Sequence, residues 1–175
     1  MEELQRPDAE TYRQAPKRPV VLVLDNVRSM NNVGSVFRTA DAFRVEEVML
    51  AGITPRPPHR EIRKTALGAE ESVAWSHYPG IREALEACRQ RGCQIVAVEQ
   101  AHGSIPLGTW NPDPARPLAL VFGHEVNGVS TAALSLADDC LEIPQEGTKH
   151  SLNLAVSVGI VLWQALGRHM PPSDR

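Results

Sequence analysis

The sequence predicts an α/β fold, a parallel sheet with helices on both faces, and three observations predict it. Four short runs, VVLVL at 20–24, EVMLA at 47–51, QIVAV at 94–98 and LALVF at 118–122, are apolar or nearly so, the pattern of strands buried on both faces. Between them lie segments with apolar residues at helical spacing, and alternation of this kind builds a parallel sheet. The segments 25–32 (DNVRSMNN), 123–130 (GHEVNGVS) and 145–153 (QEGTKHSLN) follow strands and are polar or glycine-rich. In such sheets ligands sit beyond the carboxyl ends of the strands.

In chain order, residues 1–18 form a polar N-terminal arm with one helical turn around 8–14, and residues 19–175 form the α/β domain. The strand at 20–24 leads through the polar loop 25–32 into a helix at 33–43, whose Val33, Val36, Phe37 and Ala40 share a face. A second strand at 47–51 ends at Gly52. A proline-rich basic loop follows, then a short helix at 62–67, an edge strand at 73–77 and a helix at 81–91. Strands at 94–98 and 118–122 flank a loop rich in Gly and Pro. A helix at 131–136 precedes a strand at 140–143 closed by Pro144, and Gly147 breaks the polar turn 145–150. The last helix, 151–167, has Ser151 or Asn153 at its start and Gly167 as its stop. It is apolar nearly all round, so burial by its own domain and by a partner chain is expected. Its apolar run is too short for the ~20 residues of a membrane span. Lys149, His150, Ser151 and Asn153 crowd its entrance, more polar groups than capping alone needs.

Composition narrows the function. A chain of 175 residues is large enough for a single well-formed core. No apolar segment marks the N-terminus, so neither signal peptide nor anchor is expected and the expected location is cytoplasmic. The three cysteines lack CxxC spacing and are expected as free thiols; the six histidines are scattered, so no metal site is expected. The net charge of −3 argues against a non-specific nucleic-acid binder, but the charge is unevenly placed. Residues 1–65 hold 11 Lys and Arg against 9 Asp and Glu, and residues 66–175 hold 7 against 12. Most of the positive excess sits at 55–64 (PRPPHREIRK), where Arg56, Arg60, Arg63 and Lys64 face Glu61 alone. This segment is either a solvated loop and helix start or a patch that contacts phosphates.

The polar strand ends exclude several chemistries. GHEVNGVS has the glycines and final serine of a phosphate-binding P-loop, but Val129 stands where the lysine must be. No GxGxxG dinucleotide fingerprint and no GxSxG nucleophile elbow occur. What remains is a glycine-framed loop with one acid, Glu125, whose backbone can approach a ligand closely.

Three blocks in order then carry a resemblance. NVGSVFRTADAF at 32–43, LVFGHEVNGVS at 120–130 and IPQEGTKHSLNLAV at 143–156 are similar to the three motifs of the SpoU-type (TrmH-like) RNA ribose 2′-O-methyltransferases of the SPOUT superfamily. The resemblance spans roughly residues 20–167. It implies a deep trefoil knot at the C-terminus, which rules of chain topology alone would reject. It also implies S-adenosylmethionine as cofactor, bound at Val98, Gly123, Ile143, Ser151 and Leu152, and a homodimer packed through the knotted helices.

The same resemblance makes Arg38 the catalytic residue, with Asn32, Glu125, Ser151 and Asn153 positioning it and the ribose. Without it, Arg38 is a surface arginine pairing with Asp41, and Asn32 a helix cap. A guanidinium with a pKa above about 12 is a poor base. Arg38 either acts deprotonated with help from an RNA phosphate or stays cationic and steadies the developing alkoxide; the second is favoured energetically. The expected substrate is tRNA in preference to rRNA. A second function class, an RNA-binding or assembly factor that keeps the fold without catalysis, is disfavoured by the intact residue set.

Overall fold

The computed structural model describes residues 9–148 and 151–166. A seven-stranded sheet runs through the middle in the order β3-β2-β1-β6-β4-β7-β5. Its strands are β1 (Arg18–Asp25), β2 (Val45–Ala51), β3 (Trp75–Tyr78), β4 (Gln94–Val98), β5 (Ile105–Pro106), β6 (Leu118–Phe122) and β7 (Asp139–Glu142), and every pairing is parallel. The helices are α1 (Ala9–Gln14), α2 (Met30–Ala42), α3 (Arg60–Ala66), α4 (Ala69–Ser72), α5 (Ile81–Gln90), α6 (Thr131–Leu136) and α7 (Leu154–Leu166).

The continuous apolar runs have a direct cause in this architecture. Along β1, Val20, Leu22 and Leu24 point into one core, with residues of α2 and α7, while Val21 and Val23 point into the other, with residues of α5 and α6. Successive side chains of a strand face opposite sides, so a strand covered on both faces has no polar side to show. β4 and β6 divide in the same way, Val96, Leu118, Leu120 and Phe122 on the first face and Ile95, Ala97, Ala119 and Val121 on the second.

Several boundaries differ from the sequence expectation for local reasons. α2 begins at Met30, three residues before the expected start, because Ser29 Oγ accepts from the Asn32 N–H and caps the helix. The expected strand at 73–77 becomes β3 at Trp75–Tyr78, since Val73 still belongs to the end of α4, its N–H bonded to the Ala69 carbonyl. α4 and the two-residue β5 are too short to leave a periodic signal. α7 starts at Leu154 with Asn153 as its cap, so Ser151 and Leu152 precede the helix. Gly167, Lys149 and His150 lie outside the described residues.

The burial expected of α7 from its own domain covers one face of the helix. Leu154, Val158, Val161, Leu162 and Leu166 join the chain's own core. Val156, Ile160 and Trp163 form an opposite stripe that is 50%, 37% and 63% exposed. No helix among the described residues is long and apolar enough to cross a membrane.

Candidate cofactor and active site

Three polar segments at the carboxyl ends of β1, β6 and β7 meet, although the first lies about a hundred residues from the other two in sequence. Glu125, after β6, is the hub. Its Oε2 accepts the Arg28 N–H at 3.0 Å, and its Oε1 accepts the Ser29 N–H at 2.9 Å and the Asn32 side-chain amide at 3.0 Å. Asn32 in turn accepts from Asn153 Nδ2 at 3.0 Å. Asn153 Oδ1 takes the Ala155 N–H at 2.9 Å and holds the start of α7. One hydrogen-bonded chain therefore joins all three sequence blocks. Asn32 is not a helix cap, since Ser29 takes that place on α2.

Burial by itself would raise the Glu125 carboxyl, but the N–H groups of Arg28, Glu125 itself and Ser29, with the Asn32 amide, hold it below the usual carboxylate range. A carboxylate shifted down in the folded state stabilises the fold above its unfolded pKa of about 4.3, and that contribution is lost as the pH falls through the folded value. Glu125→Gln should therefore flatten the decline of thermal stability below about pH 4.3, followed by circular dichroism melts from pH 7 to 3. A variant whose acid limb matches the wild type would remove Glu125 from that role.

Beside this chain lies a cavity of about 530 Å³. All five residues expected to hold the cofactor line it: Val98, Gly123, Ile143, Ser151 and Leu152, and so do Asn32, Glu125 and Asn153. Arg38 does not. It sits six residues beyond Asn32 on α2, about 9 Å further along the axis, on the exposed stripe with Asn31 and Ala42. The alternative reading of Arg38, a pairing with Asp41, is not among the ion pairs of the described residues; Asp41 Oδ1 accepts from Ser72 Oγ.

The glycines of the 123–128 loop serve its own closure. A Cβ on Gly123 would lie 2.1 Å from the Gly128 carbonyl carbon, and one on Gly128, where φ is 68°, would lie 2.1 Å from Glu99 Oε2. The loop is a tight hairpin, its strands joined by the His124–Gly128 bridge, and His124 Nδ1 accepts the N–H groups of Val126 and Asn127 at 3.0 and 3.2 Å. That turn leaves Val126 85% exposed at the cavity mouth.

Ten lining residues, Glu99 and His124 among them, are not among the site residues expected from the sequence. Glu99 had one usable signal, an acid directly after the β4 run at a strand's carboxyl end. The basic segment is less positive in space than in sequence. Arg63 pairs with Glu71 at 3.2 Å and Lys64 with Glu61 at 2.8 Å, while Arg56 and Arg60 are exposed and join no ion pair among the described residues.

A cavity of this size at the carboxyl ends of parallel strands, lined mostly by polar residues with a few apolar ones such as Val98, Ile143 and Leu152 among them, defines a ligand-binding α/β domain. The chain belongs to the SpoU rRNA Methylase family, whose profile matches residues 19–163. It is 29% identical over 154 residues to the 23S rRNA (guanosine-2′-O-)-methyltransferase RlmB of Vibrio cholerae, covering 88% of this chain and 61% of that protein. It is 30% identical over 146 residues to the tRNA (guanosine(18)-2′-O)-methyltransferase of Thermus thermophilus, covering 83% of this chain and 73% of that one. The crystal structure of an AdoMet-bound rRNA methyltransferase from Sinorhizobium meliloti superposes with a TM-score of 0.82 at 28% identity, over 95% of this chain and 62% of that chain. The fold is thus the knotted parallel α/β sheet of the SPOUT methyltransferases. This chain spans about three fifths of the length of the Vibrio relative.

Proposed function

We propose that the protein is an S-adenosylmethionine-dependent RNA methyltransferase that acts as a homodimer and methylates a ribose 2′-oxygen, with tRNA as the favoured substrate over rRNA. One observation carries this proposal. The hydrogen-bonded chain Glu125–Asn32–Asn153 borders a cavity that contains every residue the family resemblance assigns to the cofactor.

The donor set suits the cofactor. Val98, Ile143 and Leu152 provide apolar walls for an adenine, while the backbone at Gly123 and Ser151 faces the same space. The volume falls within the roughly 300–1,000 Å³ of ligand pockets. When bound, S-adenosylmethionine supplies a methyl group activated by its sulfonium. The protein's part is to present the ribose 2′-hydroxyl to that methyl. The methyl would pass from that sulfonium to the 2′-oxygen, leaving a neutral thioether, with the hydroxyl proton released to solvent. Arg38, exposed on α2 and outside this cavity in the free chain, stays cationic and steadies the developing alkoxide once the RNA is bound. Asn32, Glu125, Ser151 and Asn153 hold the mouth in shape.

The homodimer is supported by the exposed stripe Val156, Ile160 and Trp163, which adjoins an apolar groove lined in part by Phe43, Leu107 and Gly159. The preference for tRNA is supported by the greater share of the Thermus tRNA enzyme that this chain matches, 73% against 61% of the Vibrio rRNA enzyme. The test is incubation with S-adenosylmethionine carrying a labelled methyl and either unmodified tRNA or rRNA. Label in dinucleotides that resist alkaline cleavage, the mark of a blocked 2′-oxygen, is the expected result. Label on a base, or none with either RNA, would overturn the proposal.

RNA contact has its own test. Arg56→Glu with Arg60→Glu should weaken RNA binding and reduce the salt slope by about 1–2 units, since each lost phosphate contact removes about 0.7–0.9. Cofactor affinity should not move. Arg63 and Lys64, already paired with acids, should contribute less to the slope. An unchanged slope would make the 56–64 segment a solvated surface.

A further inference from the structure

Glu99 is an acid on the wall of the cavity with no function assigned to it and no cation within ion-pair reach among the described residues. It is firmly placed. Its backbone N–H bonds the Leu141 carbonyl at 2.8 Å, so the residue extends the β4–β7 pairing by one step. Its side chain is held at both oxygens, Oε1 by the Gln100 N–H at 2.9 Å and Oε2 by the Val129 N–H at 2.8 Å. Gly128 closes over it with no side chain to intervene.

A carboxylate offers about four lone-pair sites, and the two backbone N–H groups take one on each oxygen. One acceptor site per oxygen is left, side by side, in a residue that lines the cavity. That is a match for a vicinal diol, which brings two O–H donors close together. Glu99 also follows Val98, assigned to the adenine, and both line the cavity, so the carboxylate shares the space that the attached sugar would enter. Acids at the carboxyl ends of parallel strands take ribose hydroxyls in dinucleotide sites by the same chemistry.

Taking the S-adenosylmethionine site above as given, we propose that the Glu99 carboxylate receives the 2′- and 3′-hydroxyls of the cofactor's ribose while its other lone pairs clamp the 123–129 loop. The residue thus couples cofactor selection to loop closure. A purely structural clamp needs the contact to Val129 alone and is indifferent to the sugar.

A thermodynamic cycle separates the two. S-adenosylhomocysteine and its 2′,3′-dideoxy analogue are titrated calorimetrically into wild-type protein and Glu99→Gln. Wild type should prefer the diol by about tenfold to a hundredfold, the range of hydrogen bonds to a charged group, and Glu99→Gln should lose most of that preference. Equal weakening of both ligands by Glu99→Gln, with the diol preference intact, would overturn the assignment. Glu99→Asp keeps the charge but withdraws the oxygens by one methylene, and should also lose preference. The wild-type pair decides even where a variant does not fold, because a wild type indifferent to the hydroxyls contradicts the proposal. Wild type that binds neither S-adenosylmethionine nor S-adenosylhomocysteine would instead overturn the cofactor assignment itself.

Discussion

Arg38→Ala should lower methyl transfer by about 10²–10³-fold, the usual cost of losing a preorganised donor to a developing oxyanion, while folding and cofactor binding stay near wild type. The separation follows from where the residue sits. Arg38 lies on the exposed face of α2 and outside the cavity. Substitutions at such surface positions usually change stability by less than about 0.5 kcal/mol. The rate under saturating RNA, calorimetry with S-adenosylhomocysteine and the melting midpoint are the three measurements. Arg38→Lys then divides the electrostatic role from the geometric one. Lysine keeps the charge without the planar fork, so partial rescue marks a point charge and no rescue marks bidentate contact. Wild-type turnover by Arg38→Ala would take Arg38 out of the mechanism.

Trp163→Glu or Ile160→Glu should convert a dimer into monomers. Both residues belong to the exposed stripe of α7, one turn apart, and neither is needed to close the chain's own core. An unpaired carboxylate pressed into an apolar interface costs several kcal/mol, enough for a loss of about 10³-fold in dimer affinity. Sedimentation velocity reads the outcome directly. Val158 makes the contrast, since it is fully buried in its own chain, and Val158→Glu should unfold the protein instead of splitting a dimer. A wild type that sediments as a monomer at micromolar concentration, or a Trp163→Glu protein that stays dimeric, would remove this face from assembly.

Some of this protein was legible in the residues alone. Strands β4 and β6 and helix α6 fall where the apolar runs and the spacing place them, because burial on both faces or on one stripe leaves a local pattern. The family resemblance also named eight residues that line one cavity, seven of them within the three motif blocks. Other features left no such trace. Helix starts moved where a single side chain, Ser29 or Asn153, supplied the cap, and a cap is a choice among several nearby candidates that only the folded geometry makes. The basic look of 55–64 faded once Glu71, outside the segment, came to pair with Arg63.

By itself the sequence determined the layered α/β class, the polar strand ends and the family blocks that fall on them. Each is set by short-range periodicity or by residue identity. The tertiary structure alone decided that Glu125 binds the start of α2, that Gly123 and Gly128 close the loop on itself and on Glu99, and that α7 divides into a core face and an open stripe. Apart from the Gly123–Gly128 contact within the loop, those facts depend on contacts between segments distant in sequence. A helix apolar all round looks the same in sequence whether its far side meets its own chain or another.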